Sequence, residues 1–351
     1  MPVRTPYYVF DRVLFASLLR TYCTYGKVYF PVKANDSALV CSELDKCHCG
    51  YEVDSIEQIR ALVQSGACPE DICYSYPVRE GPDIREASNA GVRLFVVDSM
   101  AEYQKIRRLS SNVDFVIRLN VLNILNSSLP PEQNKWGLSL HEAASLISTI
   151  RRDKEKVAGI SFYIADVIRQ DDAFQIVLRA ISSSFAGVMF EFVNIGGGIS
   201  LEKLRTLAPL LERVKRTVVA KYIVIEPGRH LLNPCIDLIT SVISVRYIDM
   251  NRLVYINAGV YSGLLDAVLK RKRYIVVDEQ QNPTSALARA YICGSSSDVS
   301  DTLGEYELRT DMAVGDTLVI KECGAYSAVM QTHFCGKDHA DMIVKDIGED
   351  G

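Results

Sequence analysis

The sequence has no C-x-x-C pair, no apolar run long enough to span a bilayer, and no large excess of charge of either sign. Each absence closes off a class of function. The only tight cysteine cluster, Cys47-His48-Cys49, has no second ligand pair at finger-like spacing, so a structural metal site is not expected. We read that cluster as a turn, and most of the ten cysteines as small, reduced core residues. Without about 20 consecutive apolar residues no membrane-spanning helix is expected. The N-terminal residues carry no signal-peptide pattern, and a cytoplasmic protein is the expectation. A net charge of −4 gives no electrostatic case for binding nucleic acid or an anionic membrane surface.

What is present is ordinary for a soluble globular chain: 351 residues, 48% hydrophobic and 23% charged. That length accommodates one large α/β domain and a smaller one. From about residue 26 to 228, short apolar runs alternate with longer amphipathic stretches. Strands are predicted over 27–33, 49–53, 71–75, 92–97, 113–119, 157–163, 189–194 and 221–226, with helices such as Ser55–Ser65, Met100–Leu109, His141–Arg152 and Leu201–Val218 between them. Eight such units fit a (β/α)₈ barrel, although a doubly wound sheet alternates in the same way. After residue 229 the segments Asp237–Tyr247, Arg252–Asn257, Tyr274–Val277, Thr317–Ile320 and Ala340–Val344 read as strands without long helices between them. The predicted organisation is a barrel over 26–229 and a β-rich domain from 1–25 plus 230–351, which the strand at Tyr7–Phe10 joins.

Reactive residues of such a barrel sit at the C-terminal ends of its strands. Lys33, in Pro31-Val32-Lys33-Ala34-Asn35, ends the first predicted strand. Burial there favours the neutral amine, which can form a Schiff base. Taken alone, a strand-end lysine is more often one that reaches into water. Asn194-Ile195-Gly196-Gly197-Gly198 ends the seventh strand directly before a helix, where backbone can approach an anion such as phosphate. Glu226-Pro227-Gly228-Arg229 ends the eighth, either as an ion pair or as a carboxylate that holds a heterocyclic nitrogen protonated.

These three segments together resemble the fold type III decarboxylases that use pyridoxal 5′-phosphate, the ornithine, diaminopimelate and arginine decarboxylase group. The likeness extends through Tyr51-Glu52-Val53-Asp54-Ser55, Arg118, Lys135-Trp136-Gly137, Gly159-Ile160-Ser161-Phe162, Asn257-Ala258-Gly259-Val260-Tyr261, Gly294–Asp301 and Gly324-Ala325-Tyr326, in order over nearly the whole chain. The resemblance implies that Lys33 binds the cofactor covalently and that Glu226 faces the pyridine nitrogen. It implies that Gly196, Gly197, Gly198, Gly228, Arg229 and Tyr326 surround the phosphate, and that Glu52, Arg118 and Tyr163 line the cofactor. Ser297 and Asp298 are the expected catalytic pair, acting across a head-to-tail homodimer with shared active sites.

The chain departs from the family in four places. Tyr163 stands where a histidine usually covers the ring, and Ala165-Asp166 replaces a usual Gly-Ser. Ser297 takes the place of the usual cysteine, and a hydroxyl is a far weaker acid than a thiol. Ala258 takes the place of an aspartate expected to grip a distal ammonium. The expected activity is therefore decarboxylation of an uncommon amine-bearing or scaffold-linked amino acid rather than ornithine. The alternatives are a racemase or epimerase on the same scaffold, and a catalytically degenerate relative that acts by interaction.

Overall fold

The computed structural model describes residues 4–126, 130, 134–164, 172–280 and 285–345. The first strand, β1 (Tyr7–Phe10), is followed by eight that close into a parallel barrel: β2 (Lys27–Pro31), β3 (Gly50–Val53), β4 (Ile72–Tyr74), β5 (Leu94–Val97), β6 (Asp114–Arg118), β7 (Lys156–Ser161), β8 (Phe190–Asn194) and β9 (Ala220–Ile225). Closure settles what periodicity left open: β2 pairs with β3 on one side, and Val28 lies opposite Ile225 of β9 on the other.

The strands form because each is a short run that the barrel buries. Every residue of β4 and β5 is buried. The intervening helices bury one stripe and are capped by side chains. Ser55 accepts the Gln58 N–H at 3.3 Å ahead of Ile56–Gln64, whose buried residues are Ile56, Ile59 and Leu62. Ser139 and Glu142 form a reciprocal capping box on Leu140–Arg152. The barrel interior is filled by Tyr29, Cys73, Leu94, Val96, Val116, Ala158, Phe192 and Val224. Phe192 stacks between Tyr222 (5.7 Å between centroids) and Tyr29 (6.4 Å). Gly50 and Gly159 make room for this layer, since a β-carbon at either would run into the Tyr29 or Phe192 ring.

The remaining strands, β10 (Ile236–Ile248), β11 (Asn251–Ile256), β12 (Val276–Asp278), β13 (Leu287–Cys293), β14 (Thr302–Arg309), β15 (Thr317–Ile320) and β16 (Asp341–Val344), build a separate mixed sheet in the order β12-β15-β10-β11-β13-β14. Strand β1 joins it, antiparallel to β10 and parallel to β16. Two of these strands, β13 and β14, carry a thin apolar signal. Their faces alternate burial with Arg289, Glu305 and Glu307, so the hydrophobic pattern that marks the other strands is interrupted by charge.

The chain divides into two compact units. One contains Leu19–Val32 and Cys41–His230; the other contains the chain up to Leu18, the short segment Lys33–Val40, and everything from Leu231 onward. Among the described residues, no helix is long and apolar enough to cross a membrane.

Cys47-His48-Cys49 does form a turn, with His48 in the left-handed region at φ 53°. Cys23, at the end of the helix Arg12–Cys23, joins it there. A hydrogen bond from the Cys49 thiol stabilises the Cys23 thiolate and brings its pKa down to about 7. A lowered pKa means that the reactive thiolate is present above that value. Iodoacetamide labelling of Cys23, followed by mass spectrometry, should rise through a midpoint near pH 7 in the native protein. In urea, or in Cys49→Ala, the midpoint should return toward about 8.5.

Candidate active site

The barrel contributes a constellation organised by Asn194, the last residue of β8. Its carboxamide is used at both ends: Oδ1 accepts the Gly196 N–H at 2.8 Å, and Nδ2 donates to Glu226 Oε1 at 2.6 Å. The backbone repeats the link, because the Glu226 N–H donates to the Gly196 carbonyl at 3.0 Å. One side chain thus sets both the glycine turn after β8 and the carboxylate after β9. Gly196 and Gly198 have φ of 72° and 77°, values that disfavour any other residue. A β-carbon on Gly197 would lie 2.5 Å from the Glu226 carbonyl oxygen. The turn therefore runs flush against Glu226 and leads into the helix Leu201–Thr217, capped by Ser200.

Tyr163 borders the same turn. Its Cα lies 3.3 Å, and its ring 3.4 Å, from where a β-carbon on Gly196 would stand, and the side chain is 39% exposed. Ala165 and Asp166, the second departure from the family pattern, lie outside the described residues. Gly228 is buried and Arg229 half-buried, at the start of the short helix Arg229–Leu232. Glu52, on β3, is buried. Burial, then the negative charges of Glu226 and Glu52, raise the Cys73 thiol pKa well above its ordinary value, while Arg79 pulls it down. Both carboxylates therefore act on one point inside the barrel.

Arg79 was not singled out by the sequence reading. It is fully buried: Nη2 donates to the carbonyls of Tyr74 (2.5 Å) and Val96 (2.8 Å), Nη1 to Glu102 (3.3 Å), and the guanidinium lies over the Tyr74 ring. It fastens the end of β4 to β5 beside the carboxylates. Nothing in its local sequence distinguishes it from a surface arginine. Arg118 ends β6 half-buried, and its charge acts on Asp98, which accepts the Gly137 N–H at 2.9 Å. That bond fixes the Lys135-Trp136-Gly137 segment, where Trp136 packs edge-on to Tyr76.

The second unit carries Lys33. The strand expected to run to residue 33 ends at Pro31, and Val32–Ala34 curl into a 3₁₀ turn. Within that turn Val32 and Ala34 are buried while Lys33 is exposed, because a three-residue turn points successive side chains in different directions. The segment is clamped by the turn at 324–326. The Ala34 carbonyl accepts the Tyr326 N–H at 2.8 Å, and buried Asn35 donates to the Gly324 carbonyl at 2.9 Å. Tyr326 itself has φ of 54°, an uncommon conformation for a tyrosine. It is held by Ala325 N–H on Asn233 (2.9 Å) and by Ser327, whose hydroxyl meets the buried Tyr8 hydroxyl at 2.9 Å.

Ser297 and Asp298 lie in the connection between β13 and β14. Its shape depends on Asp301, a residue given no role by the sequence reading. The buried Asp301 carboxylate accepts the Val260 N–H (2.7 Å) and the Ser296 N–H (2.9 Å). A β-carbon on Gly259 or Gly294 would strike it, so both positions require glycine. Ser297 is exposed; Asp298 is half-buried, and the Ser300 N–H and the Tyr261 hydroxyl hold its carboxyl below the usual range. Ala258 is 0% exposed, with its N–H on the Thr240 hydroxyl.

The barrel residues fit pyridoxal phosphate: a fixed carboxylate for a ring nitrogen, a turn that excludes β-carbons, and an adjacent arginine. Residues 15–233 match the family described as "Pyridoxal-dependent decarboxylase, pyridoxal binding domain". The chain belongs to that family. Its cofactor is pyridoxal 5′-phosphate and its chemistry is that of an amino acid carboxy-lyase. The ornithine decarboxylase of Schizosaccharomyces pombe is 24% identical over 95% of this chain and 81% of its own length. Antizyme inhibitor 1 of Rattus norvegicus is 22% identical over 86% of this chain and 73% of its own. The lysine decarboxylase of Selenomonas ruminantium shares the fold, with a TM-score of 0.88 and 20% identity over 99% of this chain and 94% of that one.

In this decarboxylase, Gly197→Ala forces the turn away from Glu226. Overpacking of this kind costs about 1–3 kcal/mol, which corresponds to roughly five- to 150-fold weaker cofactor binding. Absorbance titration with pyridoxal phosphate should show that loss, with an unchanged far-UV circular dichroism spectrum.

Proposed function

We propose that the protein decarboxylates an uncommon amine-bearing or scaffold-linked α-amino acid rather than ornithine. The observation that carries the catalytic half of this reading is the Asn194 bridge between the glycine turn and Glu226. When bound, pyridoxal phosphate supplies an electron-withdrawing ring that accepts the electron pair released as CO₂ leaves. The chain's own residues do the rest. Lys33 provides the amine that binds the cofactor covalently. Glu226, held by Asn194, keeps a proton on the ring nitrogen. Gly196–Gly198, Gly228, Arg229 and Tyr326 bind the phosphate oxygens, while Tyr163, Glu52 and Arg118 orient the ring. Ser297 and Asp298 serve the substrate's α-carbon and polar groups in a head-to-tail homodimer with shared active sites.

Glu226 also separates this reading from a racemase. A protonated ring withdraws electrons fully, which favours loss of CO₂ over reversible proton exchange at the α-carbon. The likeness to an antizyme inhibitor supports a second reading, in which the fold is kept for interaction alone. The two part company at Lys33. After incubation with pyridoxal phosphate and borohydride, peptide mapping should find the label on Lys33 and none in Lys33→Ala. An unlabelled native chain would establish the interaction reading.

Sharing of sites makes its own prediction. Lys33→Ala and Asp298→Ala chains should each be inactive as purified, and mixing them under conditions of subunit exchange should restore about a quarter of native activity, as expected when random reassociation makes half of the dimers mixed with one intact site each. No recovery despite demonstrated exchange would rule out the shared site.

A further inference from the structure

Three thiols converge at the end of the barrel opposite Asn194 and Glu226. Cys23 is the last residue of the helix Arg12–Cys23, four residues before β2 begins at Lys27. Cys49 stands immediately before β3, at the close of the Cys47-His48-Cys49 turn. Strands β2 and β3 pair in parallel with Tyr29 opposite Gly50, so the entrances to both strands lie side by side. Asn194, by contrast, is the last residue of β8 in the same parallel barrel. The Cys23 and Cys49 side chains meet in a hydrogen bond, and the Cys23 charge acts on Cys47 as well.

The turn that presents Cys49 is fixed by backbone, since the Cys47 and Cys49 N–H groups both donate to the Leu44 carbonyl, at 3.0 and 3.3 Å. Two cations attend the cluster: Arg20, on the last turn of the same helix as Cys23, acts on Cys47, and Lys27 acts on Cys49. Exposure divides the roles. Cys23 is exposed and Cys49 is buried, so a small oxidant arriving from solvent meets Cys23 first, with Cys49 already in contact behind it.

We propose that Cys23 and Cys49 are the attacking and resolving thiols of a reversible oxidation site whose oxidant is a peroxide. The Cys23 thiolate attacks hydrogen peroxide: an S–O bond forms, the O–O bond breaks, and the sulfur is oxidised by two electrons to a sulfenic acid as the peroxide is reduced. The Cys49 sulfur then attacks Cys23, forming the S–S bond and breaking the S–O bond, and its proton leaves with the hydroxyl as water. Two thiols and one peroxide thus give one disulfide and two waters, and an external dithiol restores both thiols. The first step prepares the second. The bond to the Cys23 thiolate, then burial, keep Cys49 protonated, and an uncharged sulfenic acid removes the first of these causes.

The test treats the native holo-protein with hydrogen peroxide, blocks free thiols with N-ethylmaleimide, and maps an unreduced tryptic digest by fragmentation mass spectrometry. Peptides 21–27 and 47–60 should be linked through Cys23 and Cys49, at a rate proportional to peroxide and independent of protein concentration, and dithiothreitol should separate them. The link should persist in Cys47→Ser and fall at least tenfold in Cys49→Ser, where dimedone should trap Cys23 as its sulfenic acid. A link lost in Cys47→Ser and kept in Cys49→Ser overturns the assignment. So does progress of Cys23 to the sulfinic acid in the native protein without a link, or a link between chains whose rate rises with protein concentration.

Discussion

The Asn194 carboxamide is the interaction on which the barrel's chemistry depends. Neither of its bonds is strong in isolation, and together they do something neither does alone. The Oδ1 bond fixes a turn whose glycines occupy left-handed backbone, and the Nδ2 bond fixes the carboxylate of the next strand. Their common origin makes the spacing between turn and carboxylate a property of one planar group. A flexible side chain in either role would leave two independent positions, and a loss of even a fraction of an ångström matters where reacting groups must be pre-placed. The adjacency of β8 and β9 makes this possible, since Asn194 pairs with Val224, two residues before Glu226.

The second unit solves the same problem with backbone. Lys33 lies in a turn too short to hold its own shape, and the chain from 324 to 326 supplies what is missing through Ala34 and Asn35. The strain of a tyrosine at φ 54° is sustained because its neighbours are bonded on both sides, to Asn233 and to Ser327 with Tyr8. Asp301 plays an equivalent part for the 294–301 connection, with two carboxylate oxygens bonded to two backbone N–H groups and two glycines giving it room. Unusual backbone over-determined by its surroundings is a common mark of functional segments.

Much of this was legible before any coordinates. The barrel strands fall within about two residues of their predicted ends because burial makes most of each strand a short apolar run. Lys33, Gly196–Gly198 and Glu226 were visible because glycine runs and prolines punctuate strand ends. The misreadings have physical causes as well. The strand expected to reach residue 33 stops at Pro31, because a 3₁₀ turn carries Val32 and Ala34 inward and leaves Lys33 exposed. Strands β13 and β14 bear charge on their solvent faces, so periodicity undercounts them. Arg79 and Asp301 act through contacts with distant segments, Tyr74 with Val96 and Val260 with Ser296, and no local pattern announces such partners.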